Sequence, residues 1–140
     1  MTDRFRVYTH NISAPGLKGE VKPYWIWVVV HDTNKEMQRA MAKHARESIT
    51  AFDDVGGGFT HAPTPGRNGY LGLLRFSREY LSVETIVHEC VHVAVCLAQT
   101  FFACNPLRLP VDGHGMREEI VAYTAGPLAA GLIAELKPAE

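Results

Sequence analysis

The chain has 140 residues, 46% hydrophobic and 21% charged, with a formal net charge of −1 at pH 7. This is the composition of a globular protein, long enough for one domain (1–140) with its own core. A near-zero charge with no basic run argues against a chain built mainly to bind nucleic acid.

Three cysteines, an odd number, make no disulfide framework, and a reducing, cytoplasmic setting is expected. Met1–Tyr8 carries Asp3, Arg4 and Arg6 and does not read as a secretory signal. Ile86–Cys104 is apolar, but His88, Glu89, His92 and Gln99 make it costly in a bilayer. No membrane partner is expected.

Arg4–His10 alternates as a short strand, with Phe5 and Val7 on one face. Asn11–Lys22 is rich in turn formers and reads as a loop. Tyr24–His31 holds two tryptophans and three consecutive valines, a run that suits a central strand covered on both faces. Asp32 or Thr33 can cap a helix from about Asn34 to Ser48, with Met37, Met41, Ala45 and Ile49 on its buried stripe. His44, within that helix, is expected to face solvent.

Phe52–Asn68 reads as a loop around Gly56-Gly57-Gly58. No Lys-Ser/Thr pair follows the glycines, so a phosphate-binding loop is not indicated. His61 in this segment is either a plain loop histidine or part of a cleft. Gly69–Ser77 returns to strand character, and its glycines suit an edge strand with an approachable backbone. An edge beside an active site can pair with an extended peptide.

Ser82–Gln99 has the length and apolar content of a buried helix. Ser82 is a good N-cap, and Glu84 lies in the first turn, where the helix dipole favours an anion. This helix contains His88-Glu89-Cys90-Val91-His92. Residues four apart lie on one helical face, so His88 and His92 can aim two imidazoles at one point. Glu89 lies about 100° around the helix from His88 and reaches the edge of the same site. Histidines at that spacing suit a metal, and the adjacent glutamate suits a general base. The competing reading is two histidines merely packed in the core of an ordinary α/β domain. Cys90, Cys96 and Cys104 read as small buried hydrophobes rather than thiolate ligands.

Asn105–Gly115 reads as a loop containing Asp112 and His114. A further helix starts near Met116, and Gly126-Pro127 should break or kink it before Leu128–Lys137 continues. Two histidines need at least one more protein ligand, with a catalytic site leaving a position for water. Glu118, Glu119 and His114 are the available groups.

HExxH on one helix, followed by Glu119-Ile120-Val121-Ala122-Tyr123 on the next, resembles the gluzincin branch of zincin metallopeptidases. The size is similar to that of the minimal gluzincins and of small HExxH proteins encoded in phages. The resemblance spans about Tyr24–Gly126 in order of elements but only some ten positions in identity. It implies an α+β fold, with a small twisted sheet of about three strands packed on the HExxH helix and additional helices. It further implies Zn²⁺ held by His88, His92 and Glu119, with peptide bonds hydrolysed by a metal-bound water that Glu89 activates. Glu119 is preferred over Glu118 because it sets Ala122 three positions on. The partner implied is a peptide or protein substrate, with no nucleic acid. Tyr123 departs from the pattern, standing where an Asp or Asn commonly follows the alanine. Asp112 could take over the task of orienting a ligand histidine. Tyr123, His114 and Arg117 are candidates for stabilising the oxyanion. The alternative function is a zinc-stabilised, zincin-like binding protein without turnover.

Overall fold

A computed structural model describes residues 2–9, 24–45, 56–102 and 116–138, without the side chains of 45, 101, 102 and 116–120. The fold is α+β, with a four-stranded mixed sheet and three helices. The strands are β1 (Asp3–Tyr8), β2 (Trp25–His31), β3 (Gly57–His61) and β4 (Tyr70–Ser77), and the helices are α1 (Asn34–Ala45), α2 (Val83–Phe102) and α3 (Met116–Leu136). Spatial order is β1-β2-β4-β3, with β2 and β4 parallel and both outer pairs antiparallel.

Alternation along the strands sorts side chains to two faces. Ile26, Val28 and Val30 of β2 and Leu71, Leu74 and Phe76 of β4 are fully buried in one core with Ile86, Cys90, Val93 and Leu97 of α2. Leu128, Ala129 and Leu132 of α3 close that core, with Phe5 and Val7 of β1 at its margin. Val29 and His31 point the other way and are also buried. On that second face Met41 of α1 lies over Gly58. The sheet is thus sandwiched between α2 with α3 on one side and α1 over one end of the other.

Thr33 caps α1, its Oγ1 accepting from the Glu36 N–H at 3.1 Å. The helix is described to Ala45, so the expected extension to Ser48, with Ile49, lies outside the described residues. Its Lys35, Arg39, Lys43 and His44 are exposed, as its amphipathic pattern requires.

Three expectations need correction. The sheet has four strands rather than about three, because Gly57–His61, read as loop, is β3. Consequently β4 is not an edge strand: β2 and β3 flank it, and the edges are β1 and β3. The glycines that hid β3 have a spatial cause. A Cβ on Gly57 would meet Thr85 Cγ2 at 3.1 Å and Glu89 Cγ at 3.3 Å, and one on Gly58 would run into Met41 Cε. A side chain at Gly57 would press on α2 and on the β4 backbone, and one at Gly58 would have to displace the flexible end of Met41. Third, α3 runs unbroken through Gly126 and Pro127. Pro127 is exposed, whereas Thr124, Leu128, Ala129 and Leu132 are buried, so packing on α2 keeps the helix continuous across the proline.

Gly72 carries a further constraint. Its φ is 155°, and a Cβ there would run into the Thr60 carbonyl oxygen. The register of β2 against β4 slips at this level, between Trp25 and Ile26. Among the described residues, no helix is long and apolar enough to cross a membrane.

Candidate metal centre

Helix α2 begins where Ser82 Oγ accepts from the Thr85 N–H at 3.0 Å. From there the helical register determines what each residue meets. Ile86, Cys90, Val93 and Leu97 enter the core, while Val87, His88, Val91 and His92 face outward. Glu89 lies between these faces, and its side chain is 8% exposed against 66% for His88. The two histidines are therefore not core residues. They stand in solvent beside a packed carboxylate.

The imidazoles converge. Their Nε2 atoms are 3.3 Å apart, with ring centroids 5.0 Å apart and planes at 70°. That separation is long for a hydrogen bond between ring nitrogens. It matches the spacing of two nitrogens on one tetrahedral zinc, since bonds of about 2.0–2.1 Å put them roughly 3.3–3.4 Å apart. Glu89 Oε1 is 3.8 Å from His88 Nε2. Burial raises the Glu89 pKa above the ordinary carboxylate value, with the His92 and His88 charges acting in the opposite direction. The glutamate owes its place to Gly57, whose missing side chain leaves room for the Glu89 methylenes.

Cys90 is fully buried, and desolvation pushes its thiol up to about 12. Cys96 is also buried, with its pKa raised chiefly by burial and its Sγ directed at the Leu71 carbonyl. Both are thiols in the core rather than ligands. Cys104 lies outside the described residues.

His61, at the end of β3, shares a cleft of about 320 Å³ with His92, Phe59, Pro65, Val95 and Gln99. Its Nδ1 donates to the Ala62 carbonyl at 3.0 Å, which leaves Nε2 with its lone pair free. The cleft separates the edge strand from α2, so His61 lines it rather than decorating a loop. A histidine ending a short alternating Phe-Thr-His segment was the available sequence signal, and the adjacent glycines obscured it.

Glu119 and Glu118 belong to the backbone of α3, but their side chains, and that of Arg117, are outside the description, as are Asp112 and His114 entirely. Among the described residues no group of three His, Cys, Asp or Glu side chains gathers for a metal. Tyr123 is partly exposed and lines a different cavity, with Val7, Thr9, Thr124 and Leu128 between β1 and α3. It makes no hydrogen bond to His88 or His92. The described centre is thus a two-histidine pair with one packed glutamate. No family model, curated protein or solved structure matches the chain. The residues themselves must carry any statement of function.

Proposed function

We propose that the chain is a zinc-dependent peptidase of minimal zincin-like design. His88 and His92 hold the ion, with Glu119 of α3 as the third ligand that the gluzincin resemblance implies. The observation that carries this reading is the 3.3 Å approach of two solvent-open Nε2 atoms next to a desolvated carboxylate. Two core histidines would have no reason to converge in solvent.

A bound zinc ion supplies Lewis acidity toward a water and a scissile carbonyl. Glu89 does the proton work: its carboxylate takes a proton from the attacking water and returns it to the departing amine. Its raised proton affinity suits both halves of that task. Peptide is the favoured substrate because β3, on the edge of the sheet, borders the cleft that holds His92. An extended segment can add to that edge through main-chain hydrogen bonds, with a side chain in the cleft.

Metal content of the purified protein, measured beside His88→Ala and Glu119→Ala, tests the centre. Near-stoichiometric zinc in wild type, lost in both variants, is expected, and a metal-free wild type would overturn the reading. Glu89→Gln should keep the metal and lose hydrolysis of any peptide that wild type cleaves. Full turnover by Glu89→Gln would remove Glu89 from the role of base. Bound zinc without cleavage of a peptide library would identify a metal-stabilised binding domain instead.

A further inference from the structure

The sheet face turned away from α2 carries a second cluster that the zinc centre does not use. Strand register places Arg6, Trp27, Leu73 and Thr60 in one row across it, and Arg4, Val29, Arg75 and Gly58 in the next. The Arg4 guanidinium lies 4.0 Å from the Trp27 ring centroid, and that of Arg6 lies 4.2 Å from Trp25 and 4.9 Å from Trp27. Trp25 in turn packs on Tyr70, with centroids 4.6 Å apart and planes tilted by 35°. The result is one connected run of contacts, Arg4–Trp27–Arg6–Trp25–Tyr70, in which the two tryptophan rings meet edge-on with centroids 5.7 Å apart and planes at 84°. Its arginines are exposed and its rings half-buried, and among the described residues α1 meets this face at Gly58, on the β3 side of the Arg4–Arg75 row.

Guanidinium groups held over aromatic rings keep N–H donors for a carboxylate or a phosphate. Among the described residues no carboxylate pairs with Arg4, Arg6 or Arg75. Arg75 is held instead by His31 Nε2 at 2.9 Å. The positive charges of Arg4 and Arg75 act on each other, and both act on the Tyr70 hydroxyl. Of the described carboxylates near this face, Asp3 and Asp32 meet Arg78, Glu79 accepts from the Asn34 N–H, and Glu36 lies in the first turn of α1.

We propose that this face binds single-stranded nucleic acid. Phosphates sit on Arg4, Arg6 and Arg75, and bases extend the stack at its two ends, on the Arg4 plane and the Tyr70 ring. The three strands carrying it span roughly 10 Å across and 13 Å along, room for two or three nucleotides. An acidic peptide would use the charges but not the stack. Bases use both, as on other sheet surfaces where aromatic rings and guanidinium planes hold splayed nucleotides.

Trp25 and Trp27 are the only tryptophans in the chain, so selectively excited tryptophan emission reports this face alone. Titration of the full chain with a short oligothymidylate should quench that fluorescence saturably. With two or three phosphates neutralised, log affinity should fall against log salt with a slope of about −1.4 to −2.1. The Arg4→Gln/Arg6→Gln double variant, shown by circular dichroism to be folded, should bind at least about tenfold more weakly at low salt. Should that variant not fold, Arg4→Lys/Arg6→Lys keeps the charge while losing the guanidinium planes, and should retain the salt slope with a smaller quench. His88→Ala should bind as wild type. Absence of a salt-dependent quench in wild type, wild-type binding by a folded Gln variant, or an undiminished quench in the Lys variant would overturn the proposal. Equal quenching by polyglutamate would assign the face to acidic peptides and overturn it as well.

Discussion

His31 shows how one buried side chain couples the molecule to pH. Its imidazole is packed on the α1 side of the sheet and takes a hydrogen bond from Arg75 NH1, so the neutral form with an Nε2 lone pair is required. Burial lowers its pKa first and the Arg75 charge lowers it further, with Glu36 pulling weakly the other way. Because the folded pKa lies below the unfolded one, the unfolded chain binds a proton first as pH falls. The stability this histidine confers is complete above the ordinary value of 6.5 and is lost as pH drops from there through the folded pKa. Denaturant midpoints from pH 7.5 to 5 should therefore fall for wild type and fall less for His31→Gln. Equal slopes in the two proteins would locate the pH dependence elsewhere. Glu89 has the opposite sign, since burial raises its pKa and its desolvation costs stability as pH rises. Two buried titratable groups thus pull the acid limb in opposite directions.

Helix α3 illustrates how packing overrides a local signal. Pro127 lacks the N–H that would bond the Tyr123 carbonyl, and the Thr124 hydroxyl, buried one turn before Leu128, has no hydrogen-bond partner among the described residues. Pro127→Ala restores the missing donor without touching the buried stripe. A proline in a helix interior costs about 3 kcal/mol, and its stiffening of the unfolded chain returns about 0.4–1 kcal/mol. The substitution should therefore raise unfolding free energy by about 2–2.6 kcal/mol, read from urea midpoints at unchanged m. A loss of stability would mean that the ring itself fills needed space between α3 and β1. The elements legible in the sequence were those whose pattern and burial agree: the apolar run of β2, the capped stripe of α1, and α2 with Ser82 at its start. β3 was illegible because its glycines answer to Met41, Thr85 and Glu89, residues distant in sequence that no local pattern reveals. The histidine pair was legible for the opposite reason, since four-residue spacing on a helix is a local relation. The proposed third ligand depends on how α3 lies against α2, and His61 on a strand that hid itself.

The molecule as a whole consists of two antiparallel pairs, β1 with β2 and β3 with β4, joined through the parallel β2–β4 contact. The described groups of the histidine centre, its cleft and Gly57 fall within residues 56–102, on β3, α2 and the segment after β3, while the proposed third ligand, Glu119, lies on α3. The stack of Arg4, Trp27, Arg6 and Trp25 falls on β1 and β2 and reaches the second pair through Tyr70. Each proposed activity thus belongs largely to one pair, and the shared contact is where they meet. That contact also governs how the chain assembles. Trp25 pairs with Tyr70, some 45 positions on, so the contact closes the longest loop in the sheet, at an entropic cost of roughly 3 kcal/mol. Both outer pairs involve shorter separations and can form early. Docking of the two halves is then the slow event, and folding speed is set by the middle of the sheet rather than its edges. In stopped-flow refolding, Val28→Ala and Leu74→Ala should slow folding by most of their equilibrium effect, whereas Val7→Ala at the edge should mainly speed unfolding. The reverse partition would place the nucleus in β1. On this order of events the cleft-bearing half takes shape before it gains its other half, and the two rows of aromatic and guanidinium groups come into register only at the final closure.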